Sequence, residues 1–172
     1  EAGMELVRRI RGIAISSHTV TMLPVDKDGV PLRNALTYQD TRSGGELDCI
    51  VDTIGWERFV NMVGGRPGAG FLPSKILWFK KNEPELFART SSFMQASSYI
   101  NFKLTGKRTI DIDQAARTQC LDISTMDWAS EIGDVIGVDL DSVMPPLKLV
   151  NEIIGFVTDE AADATGLVSG IP

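Results

Sequence analysis

The sequence has few of the side chains that build metal sites, disulfides or nucleophilic triads. Its 172 residues include one histidine and two cysteines, Cys49 and Cys120, with no Cys-x-x-Cys pair. Cysteines so far apart predict neither a disulfide nor a zinc site, so we interpret both as buried, reduced thiols of a cytoplasmic protein. One histidine without a partner motif gives little support for triad chemistry.

Long apolar runs and clustered positive charge are also missing. No apolar stretch approaches the roughly 18 residues of a membrane span, and the first five residues show neither a basic start nor an apolar leader. The formal net charge is −6, which disfavours a nucleic-acid-binding face. We therefore expect no membrane and no nucleic acid among the partners, and expect the basic clusters at 8–11 and 80–81 to be solvated.

The common nucleotide and hydrolase motifs are absent as well. The sequence contains no Gly-x-Gly-x-x-Gly, no Walker Gly-Lys-Ser/Thr, no Gly-x-Ser-x-Gly and no His-Glu-x-x-His. Gly106-Lys107 is followed by Arg108 and lacks glycine-rich spacing. It therefore predicts a helix-ending turn.

The composition, 43% hydrophobic and 23% charged, is that of one folded domain. The patterns predict strands at 13–16 and 19–25, a turn at 26–29, and an extended segment at 30–38 that completes a hairpin-like unit. Apolar periodicity predicts helices at 44–54 and 56–63, separated by a loop at 64–68 from a helix that begins near Pro73 and ends at Asn82-Glu83-Pro84.

The second half continues this alternation and indicates an α/β fold. We predict strands at 92–96 and 153–157, a partly extended stretch at 109–122, and helices at 99–104, 128–136 and 158–164. Gly106 and Gly166 are expected to end two of these helices, and Asp127 or Thr125 to cap the helix at 128–136.

The most informative segments of the chain are F-L-P-S-K-I-L-W-F-K-K-N-E-P-E-L-F-A-R-T at 71–90 and S-S-Y-I-N-F-K-L-T-G at 97–106. With support from 15–29 and 109–128, these segments resemble the FGGY carbohydrate kinases, of the xylulokinase and glycerol kinase type. The resemblance runs from about residue 10 to residue 172. It implies a ribonuclease H-like, actin-like ATPase domain, with a mixed sheet flanked by helices and truncated at its N-terminal strands.

The same resemblance implies a function and a set of partners. It identifies the chain as a partial N-terminal, sugar-binding domain of a kinase that phosphorylates a sugar or polyol with ATP and Mg²⁺. The family's Asp-x-Gly-Thr turn and C-terminal ATP-binding domain are missing, and the catalytic Asp is expected beyond Pro172. We therefore expect the chain alone to be inactive, with no metal bound. The alternative is a non-catalytic sugar-binding or interaction module of the actin-like fold.

The turn at 15–21 is the first candidate substrate contact. It aligns with Ser-Gly-Gln-Met-His-Gly of xylulokinase-like members, which places His18, Thr19 and Val20 on substrate-binding positions. The Val20 side chain cannot accept a hydrogen bond from a hydroxyl, which speaks against glycerol or xylulose as the assured substrate. For His18 three roles stay open: a substrate hydrogen bond, proton transfer, or a structural role.

The second candidate contact is the segment at 35–43, which resembles the family's Ala-Ile-x-Trp-x-Asp-x-Arg. Tyr38 takes the place of an aromatic that packs on the substrate carbon chain, and Gln39 and Asp40 follow it as further candidates. Tyr38 could instead be a core residue at a strand end. Asp40 and Arg42 are expected mostly to hold the loop as a local pair.

Two charged features have a simpler interpretation than ligand binding. Lys75 could neutralise an acidic sugar, but a lysine near a helix start is more often solvated. Asp111 and Asp113 would share one face of an extended segment, yet we do not expect them to hold Mg²⁺. Truncation is expected to leave residues 13–16 as an exposed sheet edge, and a homodimer through that edge would be an artefact of the truncation.

Overall fold

The computed structural model describes the backbone of residues 2–172 and the side chains from residue 5 onward. Helices and short strands alternate along the chain. They are α1 Ala2–Val7, β1 Leu23–Val25, α2 Gly44–Ile54, α3 Trp56–Val63, α4 Leu72–Asn82, α5 Pro84–Ala88, β2 Ser92–Met94, α6 Ala96–Thr105, β3 Ile110–Asp111, α7 Ile112–Arg117, β4 Leu121–Asp122, β5 Asp127–Trp128, α8 Ser130–Ile136, α9 Leu140–Val143, β6 Leu147–Lys148 and α10 Asp159–Thr165.

The described strands form three pairs of mixed orientation. β1 and β2 are antiparallel, β4 and β5 are antiparallel, and β3 runs parallel to β6. Antiparallel bridges Met22↔Leu36 and Val25↔Pro31 close the predicted hairpin-like unit. At its turn the Asp26 carboxylate accepts hydrogen bonds from two backbone N–H groups, those of residues 28 and 30. These bonds hold the tight turn that the sequence predicted.

The main hydrophobic core lies where α2, α4 and α8 pack against one another and against the strands. Ile50, Ile76 and Ile132, one from each helix, are completely buried. Phe79 of α4 meets Phe93 of β2 edge-on, with ring centroids 6.2 Å apart. A smaller second cluster is built on Val157, Ala161 and Ile171. The α4 helix is therefore surrounded by core on several sides.

Local signals predicted most helices correctly. The helices α2 and α3 have the bounds that apolar periodicity predicted. Pro73 lies in the first turn of α4, and Gly106 ends α6 with a left-handed φ of 70°. Thr158 caps α10 by accepting a hydrogen bond from the Ala161 N–H. These signals work because each acts within one turn of the chain.

Two predicted strands are wrong. Residues 13–16 and 153–157 form no strand, since neither stretch finds a partner along its length among the described residues. The backbone bonds that exist are few: the Ile13 N–H donates to the Pro172 carbonyl at 2.9 Å, the Val157 N–H donates to the Ile171 carbonyl at 2.8 Å, and the Val157 carbonyl accepts from the Gly170 N–H at 2.8 Å. The sheet edge proposed for a homodimer is thus not formed by residues 13–16.

The segment from 109 to 136 also differs from the prediction. All of 112–117 is helical rather than extended, and Trp128 belongs to β5, so that α8 begins only at Ser130. Neither Asp127 nor Thr125 caps α8, because its N-cap residue is Ala129 and no side chain fills that role. Pairing of β5 with β4 outweighs the helical pattern at 128.

Candidate functional site

A cavity of about 450 Å³ brings together three of the predicted site residues. Thr19 and Val20 come from the segment before β1, and Tyr38 from the loop before α2. The remaining wall is supplied by the start of α4 and the end of α7. The lining residues are Thr19, Val20, Tyr38, Gly70, Phe71 and Arg117. We call this cavity the Tyr38 pocket.

Val20 has a backbone conformation that is rare for its residue type. Its φ is 63°, in the left-handed region, where a β-branched side chain is strained. Both polar groups of its backbone are held by buried side chains. Its N–H donates to Gln95 Oε1 at 2.9 Å, and its carbonyl accepts from Lys75 Nζ at 3.2 Å. These bonds offset the strain.

The ammonium of Lys75 is fully buried beneath the pocket. Besides the Val20 carbonyl it reaches the carbonyl of Thr37, at 2.6 Å. Burial lowers the pKa of Lys75 to about 8, and the nearby charge of Asp40 opposes that shift. The prediction that Lys75 is solvated is wrong. The sequence contained a sign of this burial, because Lys75 lies on the same helical face as the apolar residues Leu72, Ile76 and Phe79, which are all buried.

His18 lies beside the pocket and is exposed. Its Nδ1 is 2.8 Å from Thr21 Oγ1, and its ring meets that of Tyr38 edge-on with centroids 6.4 Å apart. No carboxylate bonds to the ring among the described side chains. The geometry leaves Nε2 free of described partners, so the His18 ring can contact a ligand but is not part of a charge-relay pair.

Tyr38 is 53% exposed, so the alternative of a core residue is wrong. Its hydroxyl accepts a hydrogen bond from Gln39 Nε2 at 3.3 Å, and Gln39 is itself exposed. The Tyr38 carbonyl lies so close to Gly70 that a Cβ at Gly70 would be 2.6 Å from it. Gly70 therefore allows the two loops of the pocket to touch.

Asp40 and Arg42 form the predicted local pair. Arg42 Nε donates to Asp40 Oδ1 at 2.8 Å, and the Arg42 backbone N–H donates to the same oxygen at 3.2 Å. Burial raises the pKa of Asp40, but the bonds from Arg42 outweigh it and leave the pKa below its usual value. The Arg42 guanidinium also lies over the Trp78 ring, 4.9 Å from its centroid. Asp40 thus holds the loop that presents Tyr38.

Asp111 and Asp113 do not share a face. The Asp111 carboxylate is the N-cap of α7 and accepts from the Gln114 N–H at 2.9 Å, whereas Asp113 pairs with Arg117 at 3.1 Å. Both carboxylates are therefore occupied and do not fit Mg²⁺. Nowhere in the described part of the chain do three metal-ligating side chains cluster.

Gln95 and Arg117 are functional candidates that the sequence reasoning missed. Gln95 is completely buried and also donates to the Gln114 carbonyl at 2.9 Å. It lies just before α6, where glutamine is no recognised capping residue, so no local pattern marks it. Arg117 lies at the end of α7, a helix that the sequence did not predict.

The prediction that both thiols are buried is confirmed for Cys120 and wrong for Cys49. Cys120 is buried, and burial raises its pKa to about 12, but Cys49 is exposed on α2.

None of the helices between residues 2 and 172 is long and apolar enough to cross a membrane.

An α/β domain with a pocket of aromatic, hydroxyl and cationic side chains between its loops is typical of a small-molecule-binding domain. Residues 5–172 match the model of the FGGY family of carbohydrate kinases, N-terminal domain. The chain belongs to this family.

Curated relatives agree with this assignment. The chain is 31% identical over 159 residues to the xylulose kinase of Bacillus subtilis, covering 92% of this chain and 32% of the relative. It is 33% identical to the L-fuculokinase of Escherichia coli, covering 95% and 34%. The chain thus spans about a third of the length of these relatives.

A solved structure confirms the fold. The xylulose kinase from Rhodospirillum rubrum superposes with a TM-score of 0.90 at 26% identity, over 95% of this chain and 33% of that one. The predicted actin-like ATPase fold is therefore correct.

Proposed function

We propose that the longer protein phosphorylates a sugar or polyol with ATP, and that this chain supplies one wall of the sugar site at the Tyr38 pocket. The observation that carries the proposal is the convergence of Thr19, Val20 and Tyr38 on one cavity, in a chain of the FGGY family. Residues far apart in sequence line this cavity together with the loop before α4.

The chemistry of the lining suits a polyhydroxylated ligand. The faces of Tyr38 and Phe71 can pack on C–H groups, while the Thr19 hydroxyl and the Arg117 guanidinium can bond to oxygen atoms. Val20 contributes shape only, because Gln95 and Lys75 already occupy its backbone groups. His18, Gln39 and Asp40 stand around Tyr38 and are proposed as contacts at the edge of the ligand.

The relatives suggest a ketose as the first substrate to test, since their names are those of xylulose and fuculose kinases. Pentuloses, hexuloses, polyols and sugar acids all remain in the proposal, since the Val20 side chain supplies no hydrogen bond that would select among their hydroxyl groups.

ATP and Mg²⁺ are proposed as cofactors of the full-length enzyme. The described residues do not fit them, because Asp111 and Asp113 are occupied and no glycine-rich phosphate loop is present. ATP would supply the transferred phosphoryl group, and Mg²⁺ would neutralise charge on its phosphates. The catalytic Asp is proposed to lie beyond Pro172, and a cytoplasmic location remains a prediction.

The test is a coupled ATP assay of the full-length protein with ketoses, polyols and sugar acids. We expect turnover of one class, and an increase in KM of at least about tenfold for Tyr38→Ala, which removes an aromatic contact. Trp56→Ala is the matched control, because Trp56 is 55% exposed, close to the 53% of Tyr38, and lies on α3 away from the pocket. Absence of turnover in folded protein would favour the non-catalytic binding module instead.

A further inference from the structure

Two buried side chains from separate parts of the chain hold the backbone of the same residue, Val20, in the pocket wall. Lys75 belongs to α4, and Gln95 lies between β2 and α6. Lys75 Nζ bonds to the carbonyl of Val20 at 3.2 Å, and Gln95 Oε1 accepts from its N–H at 2.9 Å. Both side chains have an exposed fraction of 0%.

The residue they hold would not adopt its conformation readily without them. Val20 has a φ of 63°, and a β-branched residue in the left-handed region is a genuine outlier. Such a conformation persists only where its surroundings over-determine it, and strained residues of this kind concentrate at functional sites. Val20 lines the Tyr38 pocket and follows Thr19, which lines it too.

Lys75 also joins this residue to the other loop of the pocket. Lys75 Nζ also donates to the Thr37 carbonyl at 2.6 Å, and Thr37 directly precedes Tyr38 in the chain. One ammonium group therefore fixes the distance between the Val20 backbone and the loop that carries Tyr38. Asp40, which is paired with Arg42, is the charged group whose field reaches Lys75.

We propose that Lys75 and Gln95 are positioning residues of the sugar site, which set the spacing of Thr19, Val20 and Tyr38 without touching the ligand. This inference rests on the proposed function.

Lys80 of the same helix offers a comparison within α4. Its ammonium group also donates to two backbone carbonyls, those of Ile136 at 3.1 Å and Gly137 at 2.6 Å. Lys80 lies away from the pocket and makes a matched control.

The first experiment needs no sugar. In the full-length protein, Lys75→Met and Lys80→Met are compared by amide hydrogen exchange, with peptides that cover 18–22 and 36–40. We expect exchange of these peptides to speed up at least about tenfold in Lys75→Met and to stay unchanged in Lys80→Met. Equal exchange in the two variants would overturn the inference.

The second experiment measures sugar kinetics, with the best substrate from the panel of ketoses, polyols and sugar acids. Lys75→Met is expected to raise KM about tenfold while kcat changes by less than about twofold, because the ligand is bound by a displaced pocket. In a Val20→Gly background, where glycine adopts the left-handed conformation unaided, Lys75→Met is expected to have a smaller effect. A KM unchanged by Lys75→Met would overturn the positioning role.

The two experiments separate the inference from the proposed function. If wild-type protein turns over no sugar while the exchange difference is present, the proposed function fails and the backbone restraint stands. If Lys75→Met does not fold, Gln95→Leu tests the other side of Val20 by the same exchange readout. Unchanged exchange at 18–22 in Gln95→Leu would then count against the inference.

Discussion

At the scale of single residues, Lys75 lies in an environment that is unusual for a lysine, because its side chain is completely buried. Transfer of an ammonium group from water to a protein interior is costly unless hydrogen bonds compensate it. The carbonyls of Val20 and Thr37 supply that compensation. The remaining cost is seen as a pKa lowered to about 8 by burial. Lys75 therefore holds the pocket backbone in place, but its burial lowers the free energy of unfolding at neutral pH.

The pH dependence of stability follows from that shift. The unfolded chain keeps the Lys75 proton up to the ordinary value of 10.5, whereas the folded protein loses it near pH 8. Between these values the unfolded state binds more protons, so the Lys75 contribution to the free energy of unfolding rises with pH. We expect a total rise of at most about 3.5 kcal/mol, since each pH unit between about 8 and 10.5 corresponds to about 1.4 kcal/mol.

Urea unfolding at pH 7.5 and 9.5 would measure this effect as the difference between wild type and Lys75→Met. The subtraction removes the titration of other groups, including Cys120. A difference between the two proteins that does not change with pH would contradict the assignment.

The two thiols should differ in reactivity. A thiolate is the reacting species, and burial raises the pKa of Cys120 to about 12, while Cys49 is exposed. Ellman's reagent is expected to modify one thiol rapidly in native protein and the second only on unfolding. Cys49→Ser should abolish the rapid phase. A rapid phase that survives in Cys49→Ser would show that Cys120 is accessible.

At the scale of elements, α7 shows how a short helix joins the pocket. Its N-cap Asp111 accepts from the Gln114 N–H at 2.9 Å, and its last residue, Arg117, reaches the pocket. Its buried Ala115 packs in the main core. The cap thus determines where α7 begins, and the length of α7 places Arg117 at the pocket wall.

A substitution series at α7 separates a cap from a metal ligand. Asp111→Ala is expected to lower the free energy of unfolding by about 1 kcal/mol, whereas Asp111→Asn keeps a good cap and most of the stability. Asp113→Ala is expected to cost less than about 0.5 kcal/mol, since its pair with Arg117 is more than half exposed. Chemical denaturation measures all three. An Asp111→Asn variant as unstable as Asp111→Ala would argue against the cap.

At the scale of the whole molecule, we propose that the chain forms one part of a longer kinase. It spans about a third of the length of the kinases it matches. Phosphoryl transfer needs metal and phosphate contacts, and no cluster of three metal-ligating side chains is found among the described residues. We therefore expect the chain alone to keep its part of the sugar-binding site but not to phosphorylate a sugar.

That separation can be tested directly. With ATP, Mg²⁺ and the sugar panel, the 172-residue chain is expected to consume no ATP above a blank without sugar, while the full-length protein turns over one sugar class. A coupled assay at equal molar concentration compares the two. Sugar-dependent ATP consumption by the chain alone would refute this expectation.

Much of the fold could be predicted from the sequence where the forces are local. Periodicity over three turns defined α2, and a left-handed glycine ended α6. Such features depend on neighbours within a turn or two of the chain. The predicted strand at 13–16 was wrong because a strand also needs a partner, and partners are chosen by the rest of the fold.

The candidate site divides in the same way. The sequence, through its resemblance to a family, determined the segments around Thr19 and Tyr38 and the class of ligand to expect. Only the tertiary structure decided that Lys75 is buried, that Gln95 reaches Val20, and that Arg117 faces the same pocket. The physical reason is that burial and hydrogen-bond partners depend on which distant segments pack together, and no single stretch of chain contains that information.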